Sequence, residues 1–169
     1  MTFRELFQLG SSFEAFLDMD QDINREKTLE IYKNIVVEDT LEDRIKKIEN
    51  PIHVLAFAEI WCPDCMINVP ALQKMQDINP KLKISILPRE ENEMHMQSYK
   101  VGGKVKIPTF VILDDAFQEK GVFIETPKIL KDIVGKGNQV EVIVAKRKYR
   151  KGEYINSTIE EIIEIINRK

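Results

Sequence analysis

One segment constrains this chain more than any other. An apolar run, Ile52–Ala58, passes through Glu59–Ile60–Trp61 into Cys62–Pro63–Asp64–Cys65, and an amphipathic stretch continues to Ile78. A short apolar run bounded by turn-forming and charged residues reads as a buried strand. Met66, Val69, Leu72 and Met75 recur at helical spacing, so the cysteines fall where a strand ends and a helix begins. That position has chemical consequences. At a helix start, Cys62 sits among unpaired backbone amides and the positive end of the helix dipole, which favour the thiolate, the form that attacks a disulfide. Cys65, one turn along, is close enough to close a ring with it and more shielded. Pro63 suits the first helical turn, because its missing amide hydrogen would have no partner there, and it stiffens the ring. Trp61 is a flat surface beside the nucleophile that either shields the thiolate, contacts a substrate peptide or simply packs the rim.

The rival reading of a Cys-x-x-Cys pair is half a zinc site, which needs two more Cys or His ligands. The chain holds two cysteines and two histidines in all. His53 opens the strand leading to the motif, which puts it roughly 25–30 Å away at ~3.3 Å per residue, so no metal is expected. Two cysteines are also too few for a disulfide-stapled secreted scaffold and fit a reducing, cytoplasmic setting. No run approaches the roughly 20 apolar residues of a membrane span. The apolar cluster in Met1–Gly10 carries Arg4 and Glu5, unlike a signal peptide. With 25 basic and 28 acidic residues the formal charge is −3, which gives no electrostatic case for nucleic acid or membrane. Gly102–Gly103 alone is no phosphate loop, so no nucleotide or flavin cofactor is expected and electrons must come from another protein.

At 169 residues and 43% hydrophobic content, the chain can bury one core, which predicts a single domain over 1–169. Residues 1–50 read as a helical extension: Thr2–Glu5 and Ser11–Glu14 fit the capping box, and a longer helix carries Leu29, Tyr32, Lys33 and Val36 near one face. A further helix starts at Thr40 and stops before Asn50–Pro51. Residues 51–125 form the core, with strands at Ile52–Ala58, Leu82–Leu87, Thr109–Leu113 and Gly121–Ile124 and helices at Cys62–Ile78 and around Glu91–Tyr99. The first two strands should be parallel and the last two an antiparallel hairpin, giving a mixed α/β sheet with helices on both faces. Residues 126–169 predict C-terminal helices: one from Thr126–Pro127 to Gly135, one capped by Asn138, and one capped by Ser157 with Ile159, Ile162, Ile163 and Ile166 as its buried stripe. Val140–Val144 also reads as a strand. The basic run Lys146–Arg150 reads as a solvated helix face, with a docking surface for an acidic partner or RNA as the alternative.

The motif resembles the thioredoxin family, in the branch with Trp-Cys-Pro-Asp-Cys, and the resemblance spans Ile52–Glu125. Ile107–Pro108–Thr109, just before the third strand, is similar to that family's cis-proline loop. The resemblance implies that Pro108 is cis and packs near both sulfurs, and that the backbone of Ile107 pairs with an extended substrate segment. It also marks departures. Ala56 stands where thioredoxins bury an aspartate, so Glu59 or Asp64 becomes the candidate proton acceptor for Cys65. Thr126–Pro127 replaces the family's glycine loop, and the front extension replaces its first strand, leaving one sheet edge open or covered by a helix. The implied function is reduction of protein or small-molecule disulfides by a Cys62–Cys65 cycle, recharged by an upstream thioredoxin-reductase-like donor. The alternative is a non-enzymatic redox-sensing or partner-binding module on the same scaffold.

Overall fold

A four-stranded sheet organises the computed structural model, which describes residues 1–169. Its strands are β1 (Ile52–Phe57), β2 (Leu82–Leu87), β3 (Thr109–Leu113) and β4 (Glu119–Ile124), in the order β2-β1-β3-β4. β1 runs parallel to β2, with Ile52 opposite Leu82, and antiparallel to β3, with Leu55 opposite Val111. β3 and β4 form the antiparallel hairpin. All six residues of β1 are buried, which is why it reads as a continuous apolar run rather than an alternation: it is central and covered on both faces. Phe110 and Phe123 are paired across the hairpin and their rings stack.

Eight α-helices surround the sheet: α1 (Phe3–Leu9), α2 (Phe13–Leu17), α3 (Ile23–Asn34), α4 (Asp39–Lys46), α5 (Pro63–Ile78), α6 (Lys128–Lys136), α7 (Gln139–Arg150) and α8 (Ile155–Ile166). The predicted helix near residue 91 is a 3-10 helix, Glu93–Tyr99. α5 connects β1 to β2 and packs against both α3 and α8, while α8 also reaches β3 and β4. The terminal extensions therefore flank the helix that carries both cysteines.

The capping box at Thr2 forms in full, with the Thr2 and Glu5 side chains each accepting the other residue's backbone N–H. The second does not. Ser12 caps α2 by accepting from the Ala15 N–H at 3.2 Å, whereas Ser11 exchanges two backbone hydrogen bonds with Ile86 of β2, at 2.8 and 2.9 Å. Its neighbour Gly10 is required there, because a Cβ would stand 1.9 Å from the Ser85 hydroxyl oxygen. The outer edge of β2 is thus met by one rung of main chain and by α1 and α2. Val36 lies beyond α3 and is 79% exposed. α6 runs one residue past Gly135 and ends at Gly137, whose φ of 73° suits glycine. Val140–Val144 is helical, because Asn138 caps α7 by accepting from the Glu141 N–H at 3.1 Å. The predicted cap at Ser157 gives way to an earlier start: α8 begins at Ile155, and Thr158 turns inward to donate to Asn68.

Ile159, Ile162 and Ile163 are 0% exposed, so α8 belongs to the same core as the sheet. Ile163→Ala is expected to cost about 2–5 kcal/mol of folding free energy, from lost burial plus the cavity left behind. Urea unfolding followed by circular dichroism measures it, and a loss under about 1 kcal/mol would remove α8 from the cooperative unit.

Candidate active site

Cys62 is the N-cap of α5, with extended backbone, and Pro63 takes the first helical position. Its sulfur accepts the Cys65 N–H at 3.4 Å, the bond an N-cap side chain makes to a free amide of the first turn. On its other side the Cys62 sulfur lies 3.8 Å from the Ile107 carbonyl oxygen. The Ile107–Pro108 bond is cis, and both residues are buried. The loop before β3 therefore closes over the helix start. In consequence Cys62 is only 5% exposed and Cys65 0%; both stand as thiols. Cys62 is more enclosed than its place at a helix start predicts, because Ile107 covers the sulfur. Trp61 is 53% exposed beside it, with the Arg89 guanidinium 5.7 Å from its ring centre.

Hydrogen bonding and burial drive the acidities of the two thiols apart. Hydrogen bonding from Cys65, side chain and then backbone, holds the Cys62 thiol below its ordinary value, against opposition from burial and from the Asp64 charge. Burial pushes the Cys65 thiol well above the ordinary value, and its hydrogen bond and proximity to Cys62 act in the same direction. The arrangement separates a more acidic thiol that caps the helix from a less acidic one buried behind it. Brief iodoacetamide treatment is therefore expected to label Cys62 and spare Cys65, with the Cys62 rate rising through a midpoint below that of a free thiol. Mass spectrometry across a pH series checks this; equal labelling would remove the distinction, and preferential labelling of Cys65 would invert it.

Asp64 lies between the cysteines in sequence and is partly buried. Burial raises its carboxyl above the usual carboxylate range, opposed by the Tyr149 hydrogen bond and the Arg150 charge. The Tyr149 hydroxyl donates to Asp64 Oδ1 at 2.9 Å, and the Arg150 guanidinium approaches the same oxygen at 3.5 Å. Asn68 Nδ2 spreads its two hydrogens over the Asp64 carbonyl at 3.0 Å, the Glu125 carbonyl at 3.1 Å and the Tyr149 oxygen at 2.9 Å. Thr158 Oγ1 donates to Asn68 Oδ1 at 2.8 Å. Burial, followed by the Asp64 charge, pushes the Tyr149 hydroxyl above its ordinary range, so it serves as a donor. Glu125 holds a left-handed φ of 66°, fixed by its N–H donating to the Pro108 carbonyl at 2.7 Å. Its carboxylate lies 3.6 Å from Lys106 Nζ.

The structure thus brings together Trp61, Cys62, Pro63, Asp64, Cys65, Ile107 and Pro108. Glu59 stands apart in one respect: its main chain lies beside the Cys65 sulfur, but its carboxylate accepts the Glu90 N–H at 3.2 Å. His53, at the opposite end of β1, stacks on Phe117 and contacts the Asp114 carbonyl through Nδ1 at 3.1 Å. Asn68, Tyr149 and Arg150 were not legible as site residues. Within the basic run, Tyr149 is 2% exposed and Arg150 pairs with Asp64, which corrects the reading of that run as wholly solvated. The one available signal was an aromatic residue interrupting a run of cations.

A family model described as Thioredoxin matches residues 10–146. Thioredoxin from Mycoplasmopsis pulmonis (strain UAB CTIP) is 28% identical over 87 residues, covering 49% of this chain and 77% of that protein. A crystal structure of a protein of unknown function from Pseudomonas aeruginosa superposes with a TM-score of 0.87 at 26% identity, covering 98% of this chain and 97% of the other. An HIV epitope scaffold superposes with a TM-score of 0.86 at 25% identity, covering 98% of both chains. These two likenesses extend over the terminal helices as well as the sheet.

Proposed function

The chain belongs to the thioredoxin family, and from that premise we propose that it is a thiol–disulfide oxidoreductase of the Trp-Cys-Pro-Asp-Cys branch that reduces protein or small-molecule disulfides. The observation that carries this reading is the placement of the two thiols: Cys62 caps the start of α5 with its sulfur 3.8 Å from the Ile107 carbonyl oxygen, and Cys65 is buried one turn behind it, an arrangement that lowers the first thiol and raises the second. In the first step the Cys62 thiolate attacks one sulfur of the substrate disulfide. A Cys62–substrate bond forms, the substrate S–S bond breaks, and the departing thiolate takes a proton from water. Cys65 then loses its proton and attacks the Cys62 sulfur: a Cys62–Cys65 disulfide forms, the Cys62–substrate bond breaks, and the second substrate sulfur leaves as a thiolate that takes up a proton. Two electrons pass from the dithiol to the substrate, and an upstream thioredoxin-reductase-like protein restores them. Ile107 and Trp61 flank Cys62 and would hold the substrate segment.

Asp64 is the better candidate for taking the Cys65 proton. Both carboxylates have partners, Glu59 at Glu90 and Asp64 at Tyr149 and Arg150, but burial raises the Asp64 carboxyl and its charge acts on the Cys65 thiol. No helix is long and apolar enough to cross a membrane, which is compatible with work in the cytoplasm. Insulin reduction, followed by precipitation of the freed B chain with a thioredoxin reductase supplying electrons, tests the function. Multiple turnovers by the wild type and none by Cys62→Ser are expected. A wild type that binds partners but never turns over would leave the scaffold as a non-enzymatic module.

A further inference from the structure

Beside the dithiol a groove of about 600 Å³, which Ile107 does not line, runs between α3, the N-terminal half of α5 and the turn joining α7 to α8. Neither terminal extension forms it alone. Its floor includes Trp61, Pro63, Met66 and Ile67, so one end abuts both neighbours of Cys62 in the chain. Its walls carry Lys27, Arg150 and Lys151 against a single carboxylate, Glu30. That local excess of positive charge stands on a chain of net charge −3, so it is a property of the groove and not of the molecule. Arg150 is about half exposed even while it pairs with Asp64, which leaves donors of its planar fork free for a second carboxylate.

Resting on the disulfide-reductase reading above, we propose that this groove binds an acidic segment of the substrate, contiguous with the disulfide that Cys62 attacks, and thereby selects disulfides flanked by Asp or Glu. The volume is in the range that accepts a drug-sized body, on the order of 300–1,000 Å³, which suits a few residues of extended chain. Trp61 gives such a segment an apolar surface as it leaves the sulfur, and Lys27 on α3 and Lys151 in the α7–α8 turn give its carboxylates positive charge. Half-exposed ion pairs each contribute little, so the selection acts as a preference among substrates and not as a requirement. Screening should weaken it at high salt.

The test uses the full-length protein and peptides that share one disulfide but carry Glu or Lys on its flank, with neutral hydroxyethyl disulfide as a third substrate too small to reach the groove. The Glu peptide is expected to show about three- to tenfold higher kcat/KM than the Lys peptide, the size of two such pairs. The preference should shrink in 0.5 M salt. Lys27→Glu/Lys151→Glu should abolish or invert it while leaving hydroxyethyl disulfide reduction and the Cys62 titration as in the wild type. Equal rates for the two peptides, or a preference untouched by the double variant, overturn the groove assignment. Failure to reduce hydroxyethyl disulfide at all overturns the reductase reading instead.

Discussion

Cys65→Ser is expected to stop the cycle halfway, leaving Cys62 joined to its substrate. The variant keeps Cys62 at the helix start: the serine hydroxyl can donate in place of the lost thiol, the largest cause of the lowered Cys62, and the backbone N–H at position 65 still bonds its sulfur. It loses the group that would break the mixed disulfide. Serine cannot replace it, since a hydroxyl does not act as the incoming sulfur in thiol–disulfide exchange. Multiple turnover should fall by roughly 10³-fold or more, the scale seen when a covalent-catalysis residue is removed, while the first attack stays near the wild-type rate. Mass spectrometry after incubation with oxidised insulin should find one substrate chain bound per molecule, released by dithiothreitol. Cys62→Ser should lose both activities. A trapped adduct on the Cys62→Ser variant, through Cys65, would exchange the two roles.

Asp64→Asn should act in two opposite directions. As the proton acceptor for Cys65, Asp64 is expected to be worth about 10²-fold in the resolving step, and the loss should be greatest near neutral pH, where hydroxide cannot substitute. Its charge also opposes the Cys62 thiolate. Removing it should lower the Cys62 thiol further and make the couple more oxidising than the wild type, which is expected near the thioredoxin value of about −270 mV. Stability responds with its own sign. Because burial raises the folded-state Asp64 carboxyl, the folded chain holds that proton more tightly than the unfolded chain. Stability therefore falls as pH rises from the ordinary carboxylate range through the raised value. Asparagine removes that slope, so the variant should be slower and, at neutral pH, more stable. Glutathione-buffer titration, stopped-flow reduction and urea unfolding at pH 4 and pH 7 measure the three effects. A wild-type potential above about −180 mV, the isomerase value, would overturn the reductase direction, and an unchanged potential in Asp64→Asn would remove Asp64 as its source.

The strand starts at Ile52, Leu82 and Thr109 were legible because each strand is buried for most of its length, and burial shows in sequence as a bounded apolar run. The cysteine pair and Pro108 were legible because each is a short motif lying where a strand meets a loop or helix. Val140–Val144 was ambiguous for a physical reason: Val140, Ile143 and Val144 remain exposed, at 71%, 58% and 45%, so no buried stripe imposed a helical period there. Tyr149 and Arg150 lie 85 and 86 positions from Asp64. Nothing local distinguishes a tyrosine that reaches across the fold from one that packs under its own helix. Ser157 misled because a hydroxyl followed by Glu160 satisfies the capping pattern, while burial of the neighbouring Thr158 against Asn68 fixed where the helix could start.

The Ser11–Ile86 rung bears on what guards the outer edge of the sheet. β2 is an outer strand, and outer strands offer unpaired amides and carbonyls to any passing chain, a hazard natural proteins blunt with charge, proline, bulges or a cover. Here the guard is the cover: two backbone bonds from Ser11, a Ser85 hydroxyl donating to the Phe7 carbonyl at 2.6 Å, and the short helices on either side. The covering groups, Phe7, Ser11 and the two helices α1 and α2, all lie in the first 17 residues. Protease nicking between Asp18 and Asp22 would leave the dithiol and its loop intact yet unfasten that flap, so colloidal behaviour would change before chemistry did.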